Sequence, residues 1–302
     1  MYAVPDQSGR RFVVTGSNSG TGKESVKRIA AAGGSVVMAV RSLERGAAAR
    51  EEILREVPGA DLEVRHLDLA DLTSVHVFAQ TVLDDGNPLH VLVNNAGVMA
   101  PPKRLETKDG FELQFGSNFL GPFALTNLLL PLLLATPGAR VATMTSGMAN
   151  FGRIRFDDLQ SQRRYRPMGT YAQSKLADML MAMHLGTLAV RNDWQLLSTM
   201  AHPGYTRTNL QTAGANLGRE KQKPPIQRTF IPSQAVEQGA EPLLYAAVDP
   251  NAEQGSYYGP DGLLGLVGPT KRVSIPRSAR TEGVAAKLWA EAERLTGVET
   301  VS

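Results

Sequence analysis

The stretch at 13–25 reads VVTGSNSGTGKES. Two β-branched residues lead in, three glycines punctuate the middle, and helix-compatible residues lead out. The spacing predicts a strand over RFVVTG, a glycine turn at Gly16, Gly20 and Gly22, and a helix over 23–32. Glycines belong where a backbone turns tightly and lets a ligand come close. A helix that opens there offers free N–H groups and a positive dipole end to a pyrophosphate. The pattern is T-G-x-x-x-G-x-G. A nucleotide-binding P-loop fails on two counts: Ser17 stands where its leading glycine belongs, and Glu24 follows Lys23 in place of Ser or Thr.

Outward from this turn, strand and helix patterns alternate. SVVMAV is a second strand, followed by a charged helix over 43–57. LEVRHLDL is a third, followed by a helix over 72–83. HVLVNNAG is a fourth, followed by a long helix that ends near Ala135. RVATMTS is a fifth, WQLLSTMAHPG a sixth, and GSYYGPDG holds a short seventh. Continuous apolar strands separated by helices imply a parallel sheet covered on both faces. Right-handed crossovers make it doubly wound. No linker divides the chain and no repeat is visible, so residues 1–302 read as a single domain. Residues 205–232, long, polar and rich in Pro, Gly and Gln, read as a substrate flap. Residues 259–302 read as a C-terminal extension that closes with an amphipathic helix over 281–296.

Composition excludes several functions. Lys+Arg total 32 against 29 Asp+Glu, which gives no nucleic-acid footprint. The basic clusters at 163–166 and 221–223 are short and read as solvated loops. There is no cysteine, so thiolate chemistry is excluded. His66, His76, His90, His184 and His202 have no ligand spacing, and no metal is expected. The apolar run at 119–135 is broken by Gly121, Pro122, Asn127 and Pro131, which fits a buried core helix better than a membrane span. The opening residues contain no apolar signal core, and a cytoplasmic location is expected.

Two further stretches carry chemistry. The second strand ends Val40-Arg41-Ser42. A carboxylate there would hold the adenosine ribose hydroxyls. Arg41 can instead grip a 2′-phosphate, with Ser42 adding a hydroxyl donor, so NADP(H) is expected over NAD(H). In TYAQSKLADML, Tyr171 and Lys175 lie one turn apart on a single helix face. An ammonium so close favours the phenolate and makes the phenol a usable general acid.

Together these pieces resemble the short-chain dehydrogenase/reductase family. The resemblance covers about the first 250 residues. It rests on TGSNSGTG at 15–22, HLDL at 66–69, NNAG at 94–97, Asn118 in GSNFLGPF, Ser146, YAQSK at 171–175 and HPGYTRT at 202–208. In style the chain is most similar to the retinol-dehydrogenase and protochlorophyllide-reductase-like branch, which tends to use NADP(H). The resemblance implies a Rossmann-type fold. It also implies that FGRIRFDDLQSQRRYRP forms a surface excursion beside the site. Thr21 departs from a frequent isoleucine, and Thr145 from a frequent serine.

The resemblance further implies a catalytic tetrad. Tyr171 would exchange a proton with the carbonyl or alcohol oxygen. Lys175 would tune it and bond the nicotinamide ribose. Ser146 would steady the substrate oxygen, and Asn118 would hold a relay water. For the cofactor, Gly16, Asn18, Ser19, Gly20 and Thr21 would surround the pyrophosphate and adenosine ribose. Asp68 and Leu69 would border the adenine, and Asn95, Ala96 and Gly97 the ribose side, with Asn94 bracing the sheet. Pro203, Gly204, Thr206 and Thr208 would hold the nicotinamide end.

The expected function is an NADP(H)-dependent oxidoreductase acting on a bulky apolar carbonyl/alcohol pair. Met99, Met148 and Phe151 would wall a roomy pocket, with Leu210, Leu217, Ile226, Phe230 and Ile231 on the flap. A dinucleotide-sensing or scaffold protein of the same fold is the rival reading, and the intact tetrad weighs against it. The family implies a homo-oligomer built on helix faces. The C-terminal extension would block or remodel that contact, so the oligomeric state stays open.

Overall fold

The structure, a computed structural model, describes residues 1–208, 210–217 and 232–301. Strands β1 (Arg11–Thr15), β2 (Ser35–Val40), β3 (Leu62–His66), β4 (Val91–Asn94), β5 (Ala139–Met144), β6 (Leu196–Ala201), β7 (Tyr257–Pro260) and β8 (Thr270–Arg272) form a sheet in the order β3-β2-β1-β4-β5-β6-β7-β8. All neighbouring pairs are parallel except β7–β8. The strand order reverses between β1 and β4, the doubly wound arrangement expected from the alternating pattern.

The strands read as unbroken apolar runs because both faces are buried. Phe12 and Val14 of β1 pack with α1 (Gly20–Ala31), through Val26 and Ile29, and with α2 (Leu43–Glu56), through Ala49 and Ile53. Val13, between them, faces the opposite core. That core holds α3 (Leu72–Asp84), α5 (Gly121–Ala135) and α6 (Pro167–Arg191). Side chains one apart in a strand point to opposite faces, so one β-branched run feeds two layers. Ser42 caps α2 by accepting from Arg45 N at 3.3 Å, and Asp71 caps α3 by accepting from Thr73 N at 3.0 Å.

A short helix, α4 (Leu113–Phe115), continues through a π-helical turn at Gly116–Leu120 into α5. By length and composition Leu113–Ala135 qualifies as a membrane span, but 72% of its most apolar window is buried inside the protein. Phe115, Phe119 and Phe123 run down its core face with ring centroids 5.1 and 6.1 Å apart.

The tail differs from the expectation, and only part of the expected flap lies among the described residues. Leu210–Asn216 forms a helix, α7. Ile226, Phe230 and Ile231 lie outside the described residues. Val236–Val248 is a helix, α8, that the sequence reading passed over because Gly239 and Pro242 interrupt it. Its Ala240, Leu243, Leu244 and Ala247 are fully buried or nearly so, at helical spacing. The tail beyond Gly259 is integral to the sheet and core. It completes β7, adds the edge strand β8, and ends in α9 (Val284–Thr296). Trp289 of α9 meets Phe123 of α5 edge-on at 4.8 Å and His184 of α6 at 5.0 Å.

Candidate active site

The glycine turn is built by steric necessity. Gly16 and Gly20 adopt positive φ of 66° and 56°. At Gly16 a Cβ would come within 2.8 Å of Ala96 Cα, and at Gly22 within 2.5 Å of the Gly16 carbonyl. Only glycine allows the loop to lie against β4 and α1 so closely. Ser19 caps α1 without a side-chain hydrogen bond, so its own side chain leaves the first-turn amides of α1 uncapped.

A crevice of about 220 Å³ opens beside this turn, at the carboxyl ends of β1, β2 and β4. Of the residues expected to hold a dinucleotide, it brings together Gly16, Asn18, Arg41, Ser42, Asp68, Leu69, Ala96 and Gly97. Arg45, one turn beyond Arg41, lines it too. Sequence reading missed Arg45, although i,i+4 spacing from Arg41 was the available signal. Ser42 Oγ already accepts a hydrogen bond as a helix cap, which leaves its O–H free to donate outward. No carboxylate stands beside Arg41 and Ser42 at the end of β2.

Other expected contacts are placed differently. The Asn95 amide braces the glycine turn, donating to the Thr15 carbonyl at 2.9 Å and accepting from Thr21 Oγ1 at 3.0 Å. Thr21 and Asn95 therefore meet each other, and they do not line the crevice, nor do Ser19 and Gly20. Asn94 donates to Thr126 Oγ1 at 3.0 Å and ties β4 to α5, as expected. Gln234 fastens the segment at 203–206 by donating to the Pro203 carbonyl at 2.9 Å. Gly204, at φ 60°, leaves no room for a Cβ against the Leu266 carbonyl. Thr208 comes close to the missing Cβ of Gly20. Of the described flap residues, Leu210, Ala213 and Gly214 of α7 and Leu217 just after it line this crevice.

The four tetrad residues converge on the neighbouring part of the same sheet edge. Tyr171 and Lys175 sit on α6, both buried, at 4% and 3% exposure. Ser146 follows β5, and its Oγ accepts from Met148 N at 3.2 Å, so its O–H can still donate. Asn118 sits in the π-helical turn. Its Oδ1 accepts from Val98 N at 2.7 Å, and its Nδ2 donates to the Val98 carbonyl at 3.0 Å and to Ser174 Oγ at 2.9 Å. The amide thus ties the turn after β4 to α6. Gly97 separates Asn118 from Lys175: a Cβ there would lie 3.3 Å from Asn118 Oδ1 and 3.5 Å from Lys175 Nζ. Thr145 Oγ1 donates to the Lys175 carbonyl at 2.6 Å and pins α6 to the end of β5. Sequence comparison had treated Thr145 only as a departure.

The excursion at 151–167 is anchored beside this site. Gln173 of α6 accepts from Arg155 N at 3.0 Å and donates to the Leu159 carbonyl at 3.0 Å. Tyr165 Oη donates to the Pro101 carbonyl at 2.7 Å. Phe151 is 79% exposed, so it belongs to the rim and does not wall a pocket.

His202 directly follows β6. Its ring stands 5.1 Å from the Tyr257 ring, and Nδ1 accepts from Gly204 N at 3.3 Å. Burial pushes its pKa down to about 4. In the unfolded chain it takes a proton near pH 6.5. Between about pH 6.5 and 4, then, the unfolded state binds a proton that the folded state refuses, and stability falls as pH falls. Urea unfolding from about pH 7 to about pH 5 should show this loss, and His202→Gln should flatten it; an equal acid loss in the variant would assign it to other groups.

The described residues contain no cluster of His, Cys, Asp or Glu fit for a metal. Comparison with known proteins agrees with the geometry. The sequence model of the short chain dehydrogenase family matches residues 10–216. The chain is 36% identical to retinol dehydrogenase 13 of Homo sapiens over 97% of its length and 86% of that protein. It is 38% identical to polyprenol dehydrogenase of Mus musculus, again over 97% of this chain and 86% of that one. A crystal structure of an uncharacterized protein from Mycobacterium paratuberculosis superposes with a TM-score of 0.81 at 38% identity, covering 99% of this chain and 97% of the other.

Proposed function

The chain belongs to the short-chain dehydrogenase/reductase family, in its retinol-dehydrogenase-like branch, and is a hydride-transferring oxidoreductase; from that premise we propose that it uses NADP(H) to interconvert a bulky apolar ketone or aldehyde with its alcohol. The observation that carries this reading is the pairing of two features on one sheet edge. Tyr171, Lys175 and Ser146 gather at one end, and an arginine-lined crevice without a carboxylate on β2 lies at the other.

The residues present fit the cofactor. Gly16 and Gly97 line the crevice without side chains, beside Asn18 and the two arginines. Gly16 and Asn18 would hold the pyrophosphate, Arg41, Ser42 and Arg45 the 2′-phosphate, and Asp68 and Leu69 the adenine edge. Pro203, Gly204 and Thr206 would border the nicotinamide. When bound, NADP(H) supplies or accepts the hydride.

The chain's own groups handle the proton. Tyr171 gives its phenolic proton to the carbonyl oxygen during reduction and takes it back from the alcohol during oxidation. Lys175 favours the phenolate that results. Ser146 donates a hydrogen bond to the same oxygen. Asn118 acts through Val98 and Ser174, holding the floor of the site.

Relatives named for retinol and polyprenol support a large apolar substrate. The burial of most of Leu113–Ala135 supports a core helix there over a membrane span. Because α9 lies across α5 and α6, an oligomer built on those helix faces would have to include it. The test is a panel of bulky aldehydes, ketones and their alcohols offered with NADPH or NADP⁺. Turnover by the wild type that is absent from Tyr171→Phe is expected. NADPH binding with no turnover of any member would instead indicate a silent sensor.

A further inference from the structure

Helix α6 buries a second charge next to the tetrad. Asp178, 1% exposed, lies one turn beyond Lys175, and its Oδ2 accepts from Lys175 Nζ at 2.8 Å. Lys175 Nζ also donates to the Met144 carbonyl at 3.1 Å. An ammonium has three donors, so one N–H remains. Asp178 Oδ1 is buried without a hydrogen-bond partner. Packing does not call for this carboxylate, because Leu176, Ala177, Met179 and Leu180 already fix α6 in the core. A buried carboxylate with a bare oxygen is costly unless its charge has a use.

We propose that Asp178 is a positioning residue for the Tyr171–Lys175 pair: its carboxylate keeps the Lys175 ammonium charged and clamped to the Met144 carbonyl, with a single N–H left for the tyrosine and the cofactor ribose. The proposal rests on the roles assigned above to Tyr171 and Lys175. Burial acts to lower the pKa of Lys175. The charges of Asp178 and Tyr171 outweigh it and hold the lysine above its usual range. Burial also pushes Asp178 up, to about 7, against the pull of Lys175.

Few other charges face this pair. β6, the π-helical turn and the turn at Gly147–Phe151 carry no ionisable side chain, and β5 contributes the Met144 carbonyl at this end, with Arg140 at its other end bonded to the Ala246 and Asp249 carbonyls. His202, beyond β6, is held neutral by burial. Glu112, which caps α4, accepts from Phe115 N. On α9, Arg294 pairs with Glu291, Lys287 lies over Phe156, and Glu293 accepts from Thr300. Arg277 stands in the short turn at Arg277–Ala279. Lys175 and Asp178 therefore titrate as one coupled pair.

The negative charge of Asp178 supports the ammonium on Lys175. In cofactor-free protein, the side-chain nitrogen resonance of Lys175, assigned against Lys175→Met, should titrate about one pH unit or more lower in Asp178→Asn than in wild type. The alkaline limb of kcat/KM for carbonyl reduction should move the same way. The first readout needs no turnover. A shifted Lys175 titration would uphold the coupling even if Tyr171→Phe kept full activity, a result that would remove only the assignment of Tyr171. Activity lost equally at every pH, with an unmoved titration, would reduce Asp178 to a packing residue and overturn the proposal. If Asp178→Asn does not fold, Lys175→Met reads the pair from the other side. At about pH 8 its infrared spectrum should gain the band of a neutral carboxylic acid. That band should vanish in Lys175→Met/Asp178→Asn, and its absence from Lys175→Met would overturn the proposal as well.

Discussion

Tyr171→Phe should cut turnover by about 10²-fold or more while leaving cofactor binding nearly intact. The substitution keeps the ring and removes only the hydroxyl. The ring is what packs: Tyr171 is 4% exposed on a helix whose neighbours at 176, 177, 179 and 180 are core residues. The fold should therefore survive, and so should the crevice at the far end of the sheet edge. What disappears is the proton for the developing alkoxide. Ser146 cannot replace it, because an aliphatic hydroxyl is a far weaker acid than a phenol. A fall in kcat with unchanged NADPH affinity, measured by fluorescence titration, is the expected pattern. A variant with near wild-type kcat would remove Tyr171 from the chemistry. Parallel losses in affinity and rate would instead point to a structural defect.

Arg41→Ala should raise the KM for NADPH by about 10- to 150-fold and leave the use of NADH nearly unchanged, since a charged hydrogen bond contributes on the order of 1.5–3 kcal/mol. The two cofactors differ by one phosphate on the adenosine ribose. Arg41 stands at the end of β2, lining the crevice where the proposed reading puts that phosphate, and a guanidinium can meet it through two parallel bonds. Arg45 lines the same crevice, so the single variant should keep part of the preference and Arg41→Ala/Arg45→Ala should lose the rest. Both arginines are exposed, so added salt should weaken NADPH binding in the wild type and matter little in the double variant. Cofactor kinetics on the three proteins decide this. An Arg41→Ala enzyme with unchanged KM for NADPH would place the phosphate elsewhere.

What the sequence disclosed was set by how local each signal is. The glycine turn, the strands and the Tyr171/Lys175 face are each written within about a dozen neighbouring residues, and the structure places them where the pattern says. Asp178 was equally local, three residues from Lys175. It was hidden because Leu176, Ala177, Met179 and Leu180 read as a packing stripe, and a charge inside such a stripe draws no notice until its burial is seen. Helix α8 was obscured by Gly239 and Pro242. Strand β8 is three polar residues that become a strand only through pairing with β7, a contact no local pattern encodes. The tail seemed an appendage for a related reason. Trp289 of α9 reaches Phe123 across more than half the chain. The brace roles of Asn95 and Asn118 were likewise unreadable, since an asparagine's partners are fixed by tertiary approach.

The central claim is that this sheet edge carries out NADP(H)-dependent carbonyl reduction. Steady-state kinetics of the wild-type protein with one bulky ketone and either cofactor test it most directly. The expected result is a kcat/KM for NADPH about 10-fold or more above that for NADH, as one charged hydrogen bond to the 2′-phosphate requires. A preference for NADH would contradict it, and so would the consumption of neither cofactor.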